Sequence, residues 1–405
     1  MQTRSKAAAD QLAFVVGCGC LVAMLTFGAR AGFGLFLEPM SRDVGFGREE
    51  FSVAIGVQNI LWGIGQPIAG ALADRFGTRK VLIGGSLIYA LGFAMMAQAA
   101  TPFMLYLSTG VLIGIGGAGA SFALIMAAVG RMVPDARRSW ALGIVVASSS
   151  LGQFLISPLS QAAILAYGWQ TALLLLAGLV LLVIPLATPY AHKAATAPAP
   201  GETLGRALKD AARHRSYWLL TAGFFVCGFH VAFIQTHLPA YVMDSGVAPW
   251  VGGWAIALVG LGNIVGSYTA GVLGGKMPKR WILSFIYVGR AVIIAIYVAF
   301  PPTATTTLVF ALVMGLLWLS TVPPTSGLVA VMFGPRYMGT LFGIVFLSHQ
   351  VGALIGVWMG GWWFDQTGSY GLVWIVMILL GILAALVHLP IVETPARAAK
   401  PLATT

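Results

Sequence analysis

The chain has 405 residues, of which 59% are hydrophobic and only 9% charged, and its mean hydropathy is +0.89. Soluble domains carry roughly a quarter charged residues, so this composition excludes a water-soluble globule and points to lipid as the solvent. A formal charge of +11 would suit nucleic acid, but the placement of the cations excludes that reading.

A helix needs ~20 apolar residues to cross a bilayer. The sequence predicts twelve such helices, near 13–40, 50–72, 80–99, 103–131, 138–166, 169–189, 216–243, 249–275, 281–300, 306–333, 337–364 and 369–391. The first run is long and lacks a convincing small-residue cleavage site, so it reads as a spanning helix and not a removed signal. The segment 191–215 interrupts the pattern with Pro198, Pro200, Arg206, Lys209, Arg213 and Arg215, and reads as a cytoplasmic linker, partly an amphipathic helix. The expected fold class is therefore an all-α membrane protein: a six-helix bundle over 1–190, the linker, a second six-helix bundle over 216–395 and a cytoplasmic tail over 396–405. Cys18 and Cys20 face apart on a helix, and Cys227 lies far away, so neither a disulfide framework nor a metal site is expected.

The cations fix an orientation. With the N-terminus inside, the inner side takes Arg4, Lys6, Arg75, Arg79, Lys80, Arg131, Arg137, Arg138, Lys193, Arg206, Lys209, Arg213, Arg215, Lys276, Lys279, Arg280, Arg336, Arg397 and Lys400. Those are nineteen of the 23 Lys and Arg. Arg42 and Arg48 fall outside, while Arg30 and Arg290 fall within helices. The basic balance is thus a topology signal with both termini cytoplasmic, and no nucleic-acid partner is expected.

The halves repeat one another. Gly70-Ala-Leu-Ala-Asp-Arg-Phe-Gly-Thr-Arg-Lys80 returns in shape as Gly271-Val-Leu-Gly-Gly-Lys-Met-Pro-Lys-Arg280, each a short cationic loop between two apolar runs. Gly143, Ile144, Val145, Ser148 and Gly152 recur as Gly343, Ile344, Val345, Ser348 and Gly352. Duplicated bundles imply a cavity at their interface and alternating access around it.

The first loop closely resembles the loop between helices two and three of the major facilitator superfamily, through its glycines, Asp74, Arg75, Gly77, Arg79 and Lys80. Within that family, Arg137-Arg-Ser-Trp-Ala-Leu-Gly-Ile-Val-Val-Ala-Ser-Ser-Ser-Leu-Gly152 resembles the helix-five signature of monocarboxylate porters. The acidic, tryptophan-bearing signature that leads into helix one of those porters is missing, and helix eight offers Asn263 where they carry an arginine. The resemblance implies twelve helices in two pseudo-symmetric bundles, a bacterial inner-membrane location, and an inner gate governed by Asp74, Arg75, Gly77 and Arg79. Asp74 is expected to pair across the interface between the halves.

A charge inside the membrane costs at least ~2.5 kcal/mol and needs a partner or a wet cavity. All 12 Asp and Glu lie at helix ends or in loops, so no carboxylate neutralises Arg30 or Arg290 near the midplane. Positive charge without acid suits an anionic substrate, because guanidinium grips carboxylate bidentately. Arg30 sits among small neighbours on a helix that lines the cavity in this family and is the expected anchor; the alternative is an arginine near the outer end that snorkels to headgroups or pairs with Glu38 or Asp43. Arg290 reads either as a brace that caps backbone carbonyls or as a coupling residue. Gln58, Asn59, Gln153, His230, His237, Asn263, His349 and Gln350 supply polar groups on the other cavity-type helices; His230 or His349 would be the available proton carriers, unless the proton rides on the substrate carboxyl.

The sequence reading is a secondary transporter of a small organic anion, a monocarboxylate, working by proton symport or anion exchange, monomeric and surrounded by lipid. Multidrug or metabolite efflux with proton antiport is the alternative in class, and a non-transporting membrane sensor the alternative of another class. No phosphate-binding loop, nucleophile elbow or ligand cluster occurs, so neither an enzyme, a cofactor nor a metal is expected.

Overall fold

The computed structural model describes residues 2–191, 204–334 and 337–396. Lys193, Pro198, Pro200, Glu202, Arg336, Arg397 and Lys400 lie outside the described residues, and with them much of the expected linker and tail. Every described regular element is helical, as expected where unpaired backbone groups cannot turn to water.

Helix α1 (Gln2–Ala31) gives way at Gly32 and Phe33 to α2 (Gly34–Val44), so the first predicted helix is broken in its middle. Helix α3 (Arg48–Phe76) ends at Gly77, whose φ of 94° is open to glycine and strained for other residues. Helix α4 (Thr78–Met96) follows at once. The fourth predicted helix is a chain of pieces: α5 (Pro102–Leu105), a π-helical stretch over Tyr106–Leu112, α6 (Ile113–Gly119) and α7 (Phe122–Met132). The fifth and sixth run on as α8 (Asp135–Leu181), with Gly168 (φ 82°, ψ 162°) making a sharp bend inside it. Helix α9 (Val183–Leu186) and a 3₁₀ turn close the first half of the chain.

The second half begins with α10 (Leu204–Arg213), amphipathic as expected, and α11 (Arg215–Asp244). Helices α12 (Trp250–Gly274) and α13 (Lys279–Val298) follow. The tenth predicted helix is interrupted: α14 (Ala304–Leu317) and α15 (Val322–Phe333) are separated by Trp318–Thr321. Helices α16 (Met338–Thr367) and α17 (Gly371–His388) complete the fold.

Among the described residues, 10 stretches are long and apolar enough to cross a membrane. The twelve expected are not all counted, for two visible reasons. Helix α3 carries Gln58, Asn59 and Gln66 in its interior and falls outside that set, and Trp140–Leu186 passes as one stretch of 47 residues although it bends at Gly168.

Small residues set the helix pairing. A side chain on Gly228 of α11 would collide with the His349 carbonyl of α16, and one on Gly352 of α16 with the Phe225 carbonyl of α11. Gly152 of α8 meets the Met24 backbone of α1 in the same way, and Gly266 of α12 meets Leu316 of α14. The sequence repeat at Gly152 and Gly352 is therefore a repeat of close backbone approach.

Candidate functional site

Arg30 stands in the last turn of α1, next to the break at Gly32 and Phe33. Its Nη2 donates to Asn59 Oδ1, and its guanidinium carbon lies 4.2 Å from the centroid of the Trp62 ring. Asn59 is itself held by a bond from Nδ2 to the Ile55 carbonyl, at 2.9 Å, so the amide is fixed before it meets the guanidinium. Arg30 Nε is buried and unpartnered, and no ion pair joins Arg30 to a carboxylate among the described residues. The cavity around it is lined by Arg30, Phe33, Ile55, Gln58, Asn59, Val231, Ala232, Gln235 and Thr236. It combines one cation, a few amides and apolar walls, which can hold a small organic anion by its charged end.

Of the expected binding residues, Arg30, Asn59 and its neighbour Gln58 line this cavity, and the others make contacts elsewhere. Gln153 donates across to the Ile256 carbonyl at 2.9 Å. Asn263 donates to Ser150 Oγ at 2.9 Å and accepts from the Leu319 amide at 2.9 Å. His230 is buried against the Met377 carbonyl at 2.8 Å. His349 Nδ1 is 3.2 Å from Gln350 Oε1, its ring beside Phe224 and Phe346. A lone polar side chain in an apolar helix takes the nearest backbone or amide partner, because leaving it unpaired costs more than any orientation gains. Gln235 and Thr236 were missed, although they sit on the same helix as His230 and His237. Arg290 donates from Nε to the Leu317 carbonyl at 3.1 Å and from Nη2 to the carbonyls of Leu317 and Trp318.

His237 belongs to a different constellation, at the Arg48 end of the bundle, which the sequence did not reveal. Arg48 grips Asp244 with both terminal nitrogens, at 2.6 and 2.7 Å, and donates to the Tyr370 hydroxyl at 2.7 Å. Asp365 accepts from the amides of Arg48 and Glu49, at 3.0 and 2.8 Å. A carboxylate from α16 thus caps the positive N-terminus of α3. Trp358 donates to Glu49 at 3.0 Å. The Tyr370 side chain is buried among these groups. Its hydroxyl accepts from Arg48 and donates to His237 Nδ1 at 3.1 Å, leaving Nε2–H for the Val357 carbonyl at 2.9 Å. Every one of these bonds except the last joins or braces the contact between the two halves of the chain. Farther down the same seam, Trp62 and Phe346 meet edge to face at 5.4 Å.

At the opposite end the expected inter-half gate is absent from the described contacts. Asp74 pairs with Arg131 at 3.5 Å inside its own half, and Arg131 also donates to Thr78 at 3.1 Å. Arg75 lies over the Phe76 ring at 5.1 Å, and Arg79 is exposed. In the second half Glu393 takes the matching place, accepting from the Arg280 amide at 2.8 Å with Lys279 at 4.0 Å. The charged loops are thus buttresses within each half in this state, because the halves meet at the Arg48 end.

The Major Facilitator Superfamily profile matches residues 19–356 and 246–404. The chain belongs to the major facilitator superfamily. Its relatives there include the uncharacterized MFS-type transporter YcxA of Bacillus subtilis (strain 168), 27% identical over 380 residues, covering 89% of this chain and 90% of that protein. Monocarboxylate transporter 13 of Bos taurus is 28% identical over 361 residues, covering 85% of this chain and 81% of that protein. Among solved structures, a bacterial homolog of the human lysosomal transporter Spinster, inward-facing and unoccupied, superposes with a TM-score of 0.75 at 14% identity, over 93% of this chain and 96% of that one. The protein is a multi-pass membrane transporter of this superfamily and not an enzyme.

Proposed function

We propose that this transporter carries a small monocarboxylate by alternating access, with Arg30 as the anchor of the carboxylate. The observation that carries the reading is a cavity-facing guanidinium with a buried, unpartnered Nε and no carboxylate joined to it among the described residues. Charge-assisted bonds to a planar carboxylate fill that vacancy with the geometry guanidinium prefers. Asn59 and Trp62 fix the arginine, Gln58, Gln235 and Thr236 offer further polar contacts, and Phe33, Ile55, Val231 and Ala232 receive the apolar end of the substrate. The monocarboxylate transporters among its relatives support the class.

In this reading α3 is a spanning helix and α8 supplies two, which makes twelve spans in two bundles of six, 1–190 and 216–395, with N- and C-termini cytoplasmic in a bacterial inner membrane. The Arg48 end faces outward and is shut, and the cavity opens toward the Asp74 end. Asp74, Arg75, Gly77 and Arg79 then form the inner gate only when the halves rock together at that end. Transport is by proton symport or anion exchange, and the monomer suffices.

Counterflow of short labelled monocarboxylates in proteoliposomes tests this. The reading requires saturable uptake lost in Arg30→Gln, and an imposed pH gradient then separates symport from exchange. Uptake of hydrophobic cations with no uptake of carboxylates would replace it with the efflux reading.

A further inference from the structure

The intramembrane charge that the Arg30 cavity does not use is Arg290, fully buried on α13. Its bonds to the carbonyls of Leu317 and Trp318 fall on the last turn of α14, where the helix stops before α15. Terminal carbonyls lack intrahelical partners and carry partial negative charge, so a cation there caps the break. That accounts for one side of the guanidinium. The same nitrogen, Nη2, also reaches Cys227 of α11, whose Sγ is 3.5 Å away, while Nη1 on the other side is buried without a partner. Cys227 is fully buried as well, and its Sγ lies 3.2 Å from Thr321 Oγ1 in the same helix break.

The charge balance is unusual. Arginine does not deprotonate in proteins, and an unpaired buried ion costs several kcal/mol. No described carboxylate is joined to Arg290 by an ion pair. The titratable groups that face the pair are Tyr287 on α13, His349 on α16 and His230 on α11, with His388 of α17 stacked on Tyr287 at 5.1 Å. None is a carboxylate. The thiol of Cys227 is the acidic group whose atom touches the guanidinium, and as an anion it would accept from both Arg290 and the Thr321 hydroxyl.

We propose that Cys227 is ionised in the resting protein, a thiolate paired with Arg290, and that it is the membrane-embedded proton acceptor of this chain. Uptake of one proton from water converts the thiolate to a thiol, breaks the ion pair and leaves Arg290 held by the carbonyls of Leu317 and Trp318 alone. The tie from α11 to the α14–α15 break, made by the thiolate through Arg290 and Thr321, then weakens, which couples protonation to a discontinuity in a spanning helix. The role in coupling rests on the transport reading; the ionisation does not.

The S–H stretching band, which lies where proteins are otherwise transparent in the infrared, reads the state of the sulfur directly. Cys18→Ala with Cys20→Ala leaves Cys227 as the single thiol, confirmed as one free thiol after denaturation. The expected result is no S–H band at neutral pH and its appearance in the added variant Arg290→Gln. A band at neutral pH in the parent overturns the proposal, and so does its absence from both. If Arg290→Gln does not fold, acidifying the parent must bring the band in, and a spectrum that acid leaves unchanged overturns the pairing. The measurement uses no substrate, so its failure and a failure of the carboxylate reading are separate results.

Discussion

Replacing Asp244 by alanine is expected to unlatch the Arg48 end. Arg48 is bound to Asp244 through two short bonds, its side chain is 9% exposed and that of Asp244 is 32% exposed. Removing one partner of a fully buried pair costs ~3–5 kcal/mol. The partial exposure of Asp244 brings this down to ~2–3 kcal/mol, since water screens what the protein leaves open. Tyr370, at 2.7 Å, and the Phe364 ring, 3.6 Å below the guanidinium, remain as partners for Arg48. The lost contact joins α3 to α11, so the loss falls on the arrangement closed at this end and not on its open counterpart. The ratio of closed to open molecules should fall roughly 30- to 150-fold, at 1.4 kcal/mol per factor of ten. Spin labels on cysteines introduced at Arg42 and Ser245, exposed positions on either side of the seam, report it through pulsed distance measurements. A longer-distance population should appear in Asp244→Ala and in Arg48→Ala, and shrink again in the reversed pair Arg48→Asp with Asp244→Arg. A distance distribution unchanged in both single variants would refute the latch.

Gly228→Ala should lower the melting temperature by several degrees, because the added methyl meets the His349 carbonyl and forces α11 and α16 apart, an overpacking cost of ~1–3 kcal/mol; thermal unfolding in detergent checks it, and an unchanged midpoint would contradict the close approach. Asp74→Asn should shift that midpoint little, since the Asp74 and Arg131 side chains are 56% and 36% exposed and such pairs contribute ~0–1 kcal/mol. Its effect should fall on transport turnover, which measures the gate that closes when the halves meet at that end.

What the sequence made legible was set by local rules. Apolar runs located the helices, and the absence of any intramembrane carboxylate singled out Arg30 and Arg290. The loop at Asp74 pointed to the superfamily because its glycines serve a turn that Gly77 makes with φ 94°. What stayed hidden was mostly contact between distant residues. Arg48 and Asp244 are separated by 196 positions, and Arg48 and Tyr370 by 322, so nothing near Arg48 in the chain marks it as a latch. The break at Gly32 and Phe33 was hidden too, whereas Pro323-Pro324 marked the tenth helix as a place to bend, and the structure breaks it just before them, at Trp318–Thr321. The histidines were overread: His230 and His237 do share a face, but each spends its ring on a backbone carbonyl, Met377 or Val357.

Carboxylate binding rests on Arg30. A thermal-shift screen of the purified protein against short carboxylates, with wild type and Arg30→Gln side by side, tests it most directly. Bonds from a charged donor contribute ~1.5–3 kcal/mol each, so a carboxylate that stabilises wild type should need at least about tenfold more ligand in the variant, or lose its effect altogether. Equal stabilisation of both proteins by the same carboxylate, or stabilisation of both by neutral or cationic amphiphiles alone, would contradict it.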